Sequence, residues 1–467
     1  MFLKEVSINK FKVLEKIHLK FDNTFTPTIY PVASLNGGGK STFLQIIFIL
    51  LYTSFSTDKD KLQFLRNILN NVSITNADFE EFIKLKIIIN NEEHTIEFFL
   101  ANNSFANFQS IVTFNELEDE FINGKYQKAI EQILEIKHMV TENGDYKRYR
   151  QSMTLRRKLN DLIADASFHH RDLLLRYQES DKYEDFDFLL NELESYFEDK
   201  LYDLKLYLEE MEEQKNKTNN FLKEKNLNYS VNCNKNSYLV FKTDLKIEQL
   251  QELSKKVFLV APSTQIFSFL SHDAKKTLFL SQEVKSNIFD SKHLYDYHVH
   301  TSKEFLQNFF TYEFASTSLI ISSFKIARDK DFEEAVETSK YGNNLERLKD
   351  DLDNFLLNKT ITVDKNLTRV IFKIKDSKKE LEPEDLSHGE LKKLGLFIWL
   401  KYKNLDDSLI LMDEVENGLH PDWQYSIIND LKKWSPSNQY ILATHSYEIC
   451  EALTPSHISE LNPKLLK

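Results

Sequence analysis

The stretch Ser34-Leu35-Asn36-Gly37-Gly38-Gly39-Lys40-Ser41-Thr42 follows the apolar run Ile29 to Ala33 and leads into a second one, Phe43 to Phe55. A strand, a glycine-rich turn and a helix in that order are the context a phosphate-binding loop requires. Glycines let the backbone curl so that successive N–H groups face a polyphosphate, and the helix N-terminus adds positive potential. Lys40 would then reach the β- and γ-phosphates of ATP, and the Ser41 hydroxyl could ligate Mg²⁺. Ser34 stands where such loops usually open with glycine, a position that begins the turn and contributes little to the cradle. A glycine-rich turn that only starts a helix is the alternative, and the rest of the chain has to decide.

Glycine is scarce, nine residues in 467, against a usual ~7%, so each one stands out. Gly389 lies in Leu386-Ser387-His388-Gly389-Glu390, ahead of a helix expected from about Leu391 to Tyr402. Taken alone, Ser387 and Glu390 form a capping box, which needs no function. A serine and a glycine at a helix N-terminus also make an anion site, where Gly389 lets a phosphate approach the backbone. Asp413-Glu414 ends the apolar run Leu409 to Met412, at the strand end where open α/β sheets place ligand-binding residues. In phosphoryl transfer, Asp413 would position Mg²⁺ and Glu414 would orient and deprotonate the attacking water; alone, two acids capping a strand in solvent would explain the pair. His445 follows the apolar run Tyr440 to Ala443, again at a strand end. A lone histidine is usually structural.

The set changes that reading. Lys40 comes first, Ser387 stands 26 residues before Asp413, and His445 stands 32 residues after it. This order and spacing resemble the ABC-class ATPases of the Rad50, SMC and RecF type, over about residues 1 to 115 and 257 to 467. The resemblance implies an α/β fold, an ABC-type P-loop ATPase head with a parallel-rich sheet, interrupted by an α-helical insertion. It implies a Walker A at Asn36 to Thr42, a signature at Leu386 to Glu390, a Walker B at Leu409 to Glu414, a D-loop at Asn417 to Pro421 and a switch histidine at His445. In that family two heads sandwich two ATP molecules, so Ser387 and Gly389 would meet the γ-phosphate held by another copy's Lys40, and a monomer should hydrolyse poorly. The family's Q-loop glutamine would be Gln265 or Gln109, with Gln265, just after Val257 to Ala261, preferred.

The chain then divides into an N-terminal ATPase lobe at 1–115, a helical or short coiled-coil insertion at 116–228 and a C-terminal ATPase lobe at 229–467. Tyr183 to Lys225 keeps apolar residues near heptad spacing at Leu201, Leu204, Leu208 and Met211, enough for a hairpin or short coiled coil. No stretch reaches the ~18 consecutive apolar residues of a membrane span, and no secretory signal is visible, so a cytoplasmic protein is expected. Two cysteines, far apart, exclude a disulfide framework and a cysteine zinc site. A net charge of −12 does not suggest a surface devoted to nucleic acid. Within it, Lys147 to Lys158 is a basic segment that fits DNA phosphates, an acidic partner or a solvated helix face equally well. His169-His170 with Asp172, and His298 with His300, lack a spacing that specifies a metal site. With only 22 residues after His445, no appended nuclease domain is expected. The composite expectation is an ATP- and Mg²⁺-dependent switch that works as a homodimer or higher-order assembly of this chain. It resembles the ATPase subunits of anti-phage systems such as Septu, PARIS and some retrons, which act with a separate effector, often a nuclease. A RecF-like, DNA-binding repair ATPase is the alternative.

Overall fold

A computed structural model describes residues 1–35, 37–74, 77–143, 157–162, 183–272, 274–276, 302, 304–312, 316–356, 358–375, 377, 379–403 and 405–461. Asn36, most of the basic segment (147–156), His169, His170, Asp172, His298 and His300 lie outside the described residues. The chain forms two compact units, Met1–Asn102 with Asn226–Lys467, and Asn103–Lys225.

The larger unit opens with β1 (Phe2–Phe11), β2 (Leu14–Lys20) and β3 (Ile29–Ala33), then α1 (Lys40–Thr53), α2 (Lys59–Leu69), β4 (Phe79–Ile89) and β5 (Glu92–Ala101). The smaller unit holds α3 (Phe108–Asn123), α4 (Lys125–Asn143) and α5 (Tyr183–Glu224). The chain returns with β6 (Asn228–Asn234), β7 (Ser237–Thr243), α6 (Ile247–Lys255), β8 (Val257–Ala261), β9 (Phe309–Thr311), α7 (Ser316–Thr338) and α8 (Asn344–Phe355). It closes with β10 (Lys359–Val363), β11 (Val370–Ile374), β12 (Glu380–Leu381), α9 (His388–Tyr402), β13 (Leu409–Asp413), α10 (Pro421–Trp434), β14 (Gln439–Ala443), α11 (Tyr447–Glu451) and β15 (Ser459–Glu460).

Strand order follows from what each strand can bury. β13 and β14 are apolar throughout and buried at every residue, as strands covered on both faces must be. They sit inside a parallel sheet of order β15-β3-β14-β13-β8-β9. The strands β1, β2 and β4–β7 form an antiparallel sheet of order β2-β1-β4-β5-β7-β6. β10-β11-β12 make a third, smaller sheet.

Helix α1 packs in the cluster shared by the antiparallel sheet and one face of the parallel sheet. Twelve of its fourteen residues are buried, the signature of a helix covered all round rather than along one stripe. The other face of the parallel sheet carries α7, α8, α9 and α10. In the smaller unit, α5 is one continuous helix of 42 residues rather than a hairpin. Leu193 and Phe197 pack there with Ile133 and Ile136 of α4, and Thr218 meets Ser110 of α3 at 3.1 Å. Among the described residues no helix is long and apolar enough to cross a membrane.

Gly389, in the first turn of α9, has a packing reason that the sequence did not reveal. A Cβ there would lie 2.5 Å from the Gly418 carbonyl oxygen and 3.3 Å from the Trp423 ring. Gly389→Ala should therefore destabilise the larger unit by about 1–3 kcal/mol, the usual cost of overpacking. A thermal-unfolding midpoint equal to that of the wild type would show that the loop at Gly418 yields freely.

Candidate active site

Four neighbouring strands of the parallel sheet deliver the site. Parallel pairing sets Ala443 opposite both Asp413 and Val32, and Met412 opposite Val260. The C-terminal ends of β3, β14, β13 and β8 are thus level, and the segments that leave them carry Lys40, His445, Glu414 and Gln265. That edge is where parallel α/β sheets place ligands.

The loop after β3 turns through left-handed backbone at Gly37 and Gly39 (φ 76° and 88°). At Gly39 glycine is demanded twice, because a Cβ would also lie 2.7 Å from Leu14 and 2.8 Å from Val13. Lys40 then begins α1 with its side chain almost wholly buried. Its Nζ donates to the Ser34 carbonyl and hydroxyl oxygens, both at 3.2 Å, and stands 3.5 Å from His445 Nδ1. Burial pushes the ammonium pKa down, while Asp413, Glu416 and Glu414 oppose it. Ser34, the departure from a leading glycine, thus serves as the resting partner of the lysine.

Asp413 is 1% exposed. Its Oδ2 accepts from Gln265 Nε2, and the Ser41 hydroxyl also donates to the carboxylate. Burial raises the carboxyl above its ordinary range; the Ser41 and Gln265 bonds resist this, and the nearby Glu414 and Glu416 add to it. The next residue, Glu414, sits in left-handed backbone (φ 52°), a conformation that costs a non-glycine residue on the order of 1–3 kcal/mol. Neighbours hold it there. Its N–H donates to Ala443 O at 3.0 Å, and its carbonyl accepts from Lys392 Nζ at 2.9 Å. Lys392 also reaches Asn417 O at 3.0 Å and lies 3.7 Å above the Tyr312 ring, whose hydroxyl donates to Asp413 O. The Glu414 carboxylate accepts from Asn417 Nδ2 at 2.6 Å.

These groups enclose a cleft of about 340 Å³ lined by Val13, Gly37, Gly38, Gly39, Lys40, Ser41, Thr42, Asp413, Glu414 and His445. Gln265 stands behind it through Asp413. Gln109 lies in the smaller unit, where its amide donates to Thr113 at 3.3 Å. Ser387 and Gly389 are not among the cleft's lining residues. Ser387 caps α9, accepting from Glu390 N at 3.2 Å and donating to Glu390 Oε2 at 2.9 Å. Glu390 is paired with Lys359 at 2.5 Å. Burial would raise the Glu390 carboxyl, but the Lys359 and Ser387 bonds prevail and hold it below the usual range.

The sequence reading missed Gln45, Tyr312, Lys392 and Glu416. Gln45 donates to Gln265 Oε1 at 2.8 Å and so orients the amide that meets Asp413. A polar residue inside an otherwise apolar buried helix was the available signal. For Mg²⁺, the donor set fits. Ser41 and Asp413 offer hard oxygen atoms side by side, and among the described residues no group of three or more His, Cys, Asp or Glu converges. An ion here would draw its remaining ligands from phosphates and water, as Mg²⁺ commonly does.

The family model for an AAA domain, putative AbiEii toxin, type IV TA system matches residues 35–451. The chain belongs to this AAA-domain family. Curated relatives match more locally. The Retron Vc95 probable ATPase of Vibrio cholerae serotype O1 biovar El Tor is 37% identical over 54 residues, 12% of this chain and 10% of the relative. The Retron Ec83 probable ATPase of Escherichia coli is 38% identical over 50 residues, 11% and 9% of the two chains. The match thus spans about a tenth of the length of these relatives. Among solved structures, the SMC head domain from Thermotoga maritima aligns over 97% of this chain and 92% of its own, at 10% identity and a TM-score of 0.34. The recombination mediator protein RecF covers 96% and 93%, at 14% identity and a TM-score of 0.25. The fold of this AAA-domain protein is α/β, with a parallel sheet in the larger unit and a helical segment, Asn103–Lys225, between its two parts in the sequence.

A group whose pKa is raised by folding stabilises the fold below its unfolded pKa, and that contribution is lost as pH rises through the folded value. Asp413 is such a group. At pH 7 nucleotide-free Asp413→Asn should therefore unfold at a higher temperature than the wild type, with the gap narrowing toward the ordinary aspartate pKa of ~3.9. Mg²⁺-ATP should raise the midpoint of the variant less than that of the wild type. Thermal unfolding against pH checks both; a variant less stable at pH 7 would contradict the assigned burial penalty.

Proposed function

We propose that this protein hydrolyses ATP as one half of a two-copy ATP sandwich. The observation that carries the proposal is the convergence of Lys40, Ser41, Asp413, Glu414 and His445 on one cleft from segments up to 405 residues apart. The N–H groups of Gly37 to Thr42 and the start of α1 would cradle the phosphates, with Lys40 leaving Ser34 for the β/γ oxygens. Ser41 and Asp413 would hold Mg²⁺, which would supply positive charge against the negative charge of the phosphates. Glu414, fixed by the turn after β13, would orient water and accept its proton. His445, beside Lys40, would face the γ-phosphate. Ser387 and Gly389, at the N-terminus of α9, would complete the site of a second copy, the capping box keeping the helix end in place.

We further read the protein as the regulatory ATPase of an anti-phage defence system with a separate effector. The AbiEii and type IV toxin–antitoxin description of its family and the partial likeness to retron ATPases support this. A RecF-like role on DNA is the competing reading. The larger acidic total and α5, with thirteen acidic and five basic residues in its 42, favour a protein partner over DNA.

Steady-state turnover tests the proposal. Glu414→Gln should lower kcat by about 10²-fold or more, in the range for loss of a general base, while ATP binding persists. Duplex DNA should leave wild-type turnover unchanged within about twofold. Unchanged turnover in the variant would remove Glu414 from the chemistry, and strong stimulation by DNA would favour the repair reading.

A further inference from the structure

Glu416 lies two residues beyond Glu414, in the turn that follows β13, and belongs to none of the roles above. It is 8% exposed. Its Oε1 accepts from the backbone N–H of His445 at 2.7 Å, which ties the turn after β13 to the loop after β14. Its Oε2 is buried with no hydrogen-bond partner among the described residues. Its own main chain is fixed, since the carbonyl accepts from Leu419 N at 2.9 Å and from Gln424 Nε2 at 3.4 Å. A buried polar oxygen left unpaired costs on the order of 1–3 kcal/mol, and an acid chosen for stability alone would be satisfied at both oxygens. Its charge is also felt at Lys40 and at Asp413, on both sides of the cleft.

We infer that Glu416 is a positioning residue for ATP hydrolysis: by holding the His445 amide, it sets the imidazole at the γ-phosphate end of the cleft. This rests on the ATPase reading. On that reading nucleotide would be grasped by the loop after β3, to whose described residues Glu416 makes no hydrogen bond, so the effect falls on turnover rather than on binding. The bond crosses between two segments that leave adjacent parallel strands, and its length depends on the full reach of a glutamate.

Two variants separate reach from charge. Glu416→Gln keeps an oxygen at the same reach for the His445 N–H, whereas Glu416→Asp keeps the charge and falls one methylene short. Turnover, affinity for a fluorescent ATP analogue and thermal unfolding would be measured for both, beside the wild type and Glu414→Gln. Glu416→Asp should lose about tenfold or more in kcat with nucleotide affinity kept within about threefold, and Glu416→Gln should recover most of that loss. Wild-type kcat in Glu416→Asp would overturn the inference. So would a loss of affinity and stability in proportion to kcat, which marks a merely structural residue, or a Glu416→Gln as slow as Glu416→Asp. If Glu414→Gln abolishes turnover while Glu416→Asp does not, the ATPase reading stands and this inference alone fails; a wild type without turnover removes both.

Discussion

The site depends on four parallel strands ending level. Parallel pairing fixes the heights of β3, β14, β13 and β8 relative to one another, and only that register brings a lysine at position 40 within 3.5 Å of a histidine at position 445. A slip of one residue in β13 would turn its side chains to the opposite face and carry Asp413 away from Ser41. The buried faces of the sheet resist such a slip. Leu409 and Leu411 pack toward α1 and the antiparallel sheet, while Ile410 and Met412 pack toward α7 to α10. Because both faces are apolar and covered, each strand is held by packing as well as by its ladder. The edge that carries the candidate site inherits that rigidity, as a preorganised site must.

The same edge carries local costs that the fold offsets elsewhere. Asp413 is buried against its preference for water, Glu414 is held in left-handed backbone, and Lys392 is buried within the turn. Each is compensated by a specific neighbour. Gln265 and Ser41 meet Asp413, Ala443 and Lys392 hold Glu414, and the Glu414 and Asn417 carbonyls with the Tyr312 ring receive the Lys392 ammonium. Strain and desolvation that meet where chemistry is expected are what a functional site leads one to find.

Much of this was legible in the sequence, for physical reasons. Runs such as Leu409 to Met412 and Tyr440 to Ala443 are apolar without alternation, which only strands covered on both faces need to be, and their ends pointed to the residues that follow. The glycine-rich turn between Ala33 and Ser41 was equally plain in a chain so poor in glycine. Side chains that act through tertiary contact were not legible. Gln45 interrupts an apolar helix, but nothing local says that it faces Gln265. Lys392 reads as a surface lysine of α9 until the turn after β13 folds over it. Choosing between Gln265 and Gln109 as the partner of the buried acid needed the sheet order: Gln265 follows β8, which pairs with β13, whereas Gln109 lies in α3 of the smaller unit. The continuity of α5 was also hidden, because near-heptad spacing fits one long helix and a hairpin alike.

One copy of the chain presents a glycine-rich loop, a buried acid and a candidate base on one cleft, while Ser387 and Gly389 stand outside its lining. The claim that the working site takes these last two residues from a second copy is tested most directly by the mass of Glu414→Gln in solution. Light scattering with Mg²⁺-ATP should show an assembly of at least twice the 55.2 kDa of one chain, absent without nucleotide and abolished by adding Ser387→Arg. A mass that stays the same with and without ATP, or an ATP-dependent assembly indifferent to Ser387→Arg, would contradict the shared site.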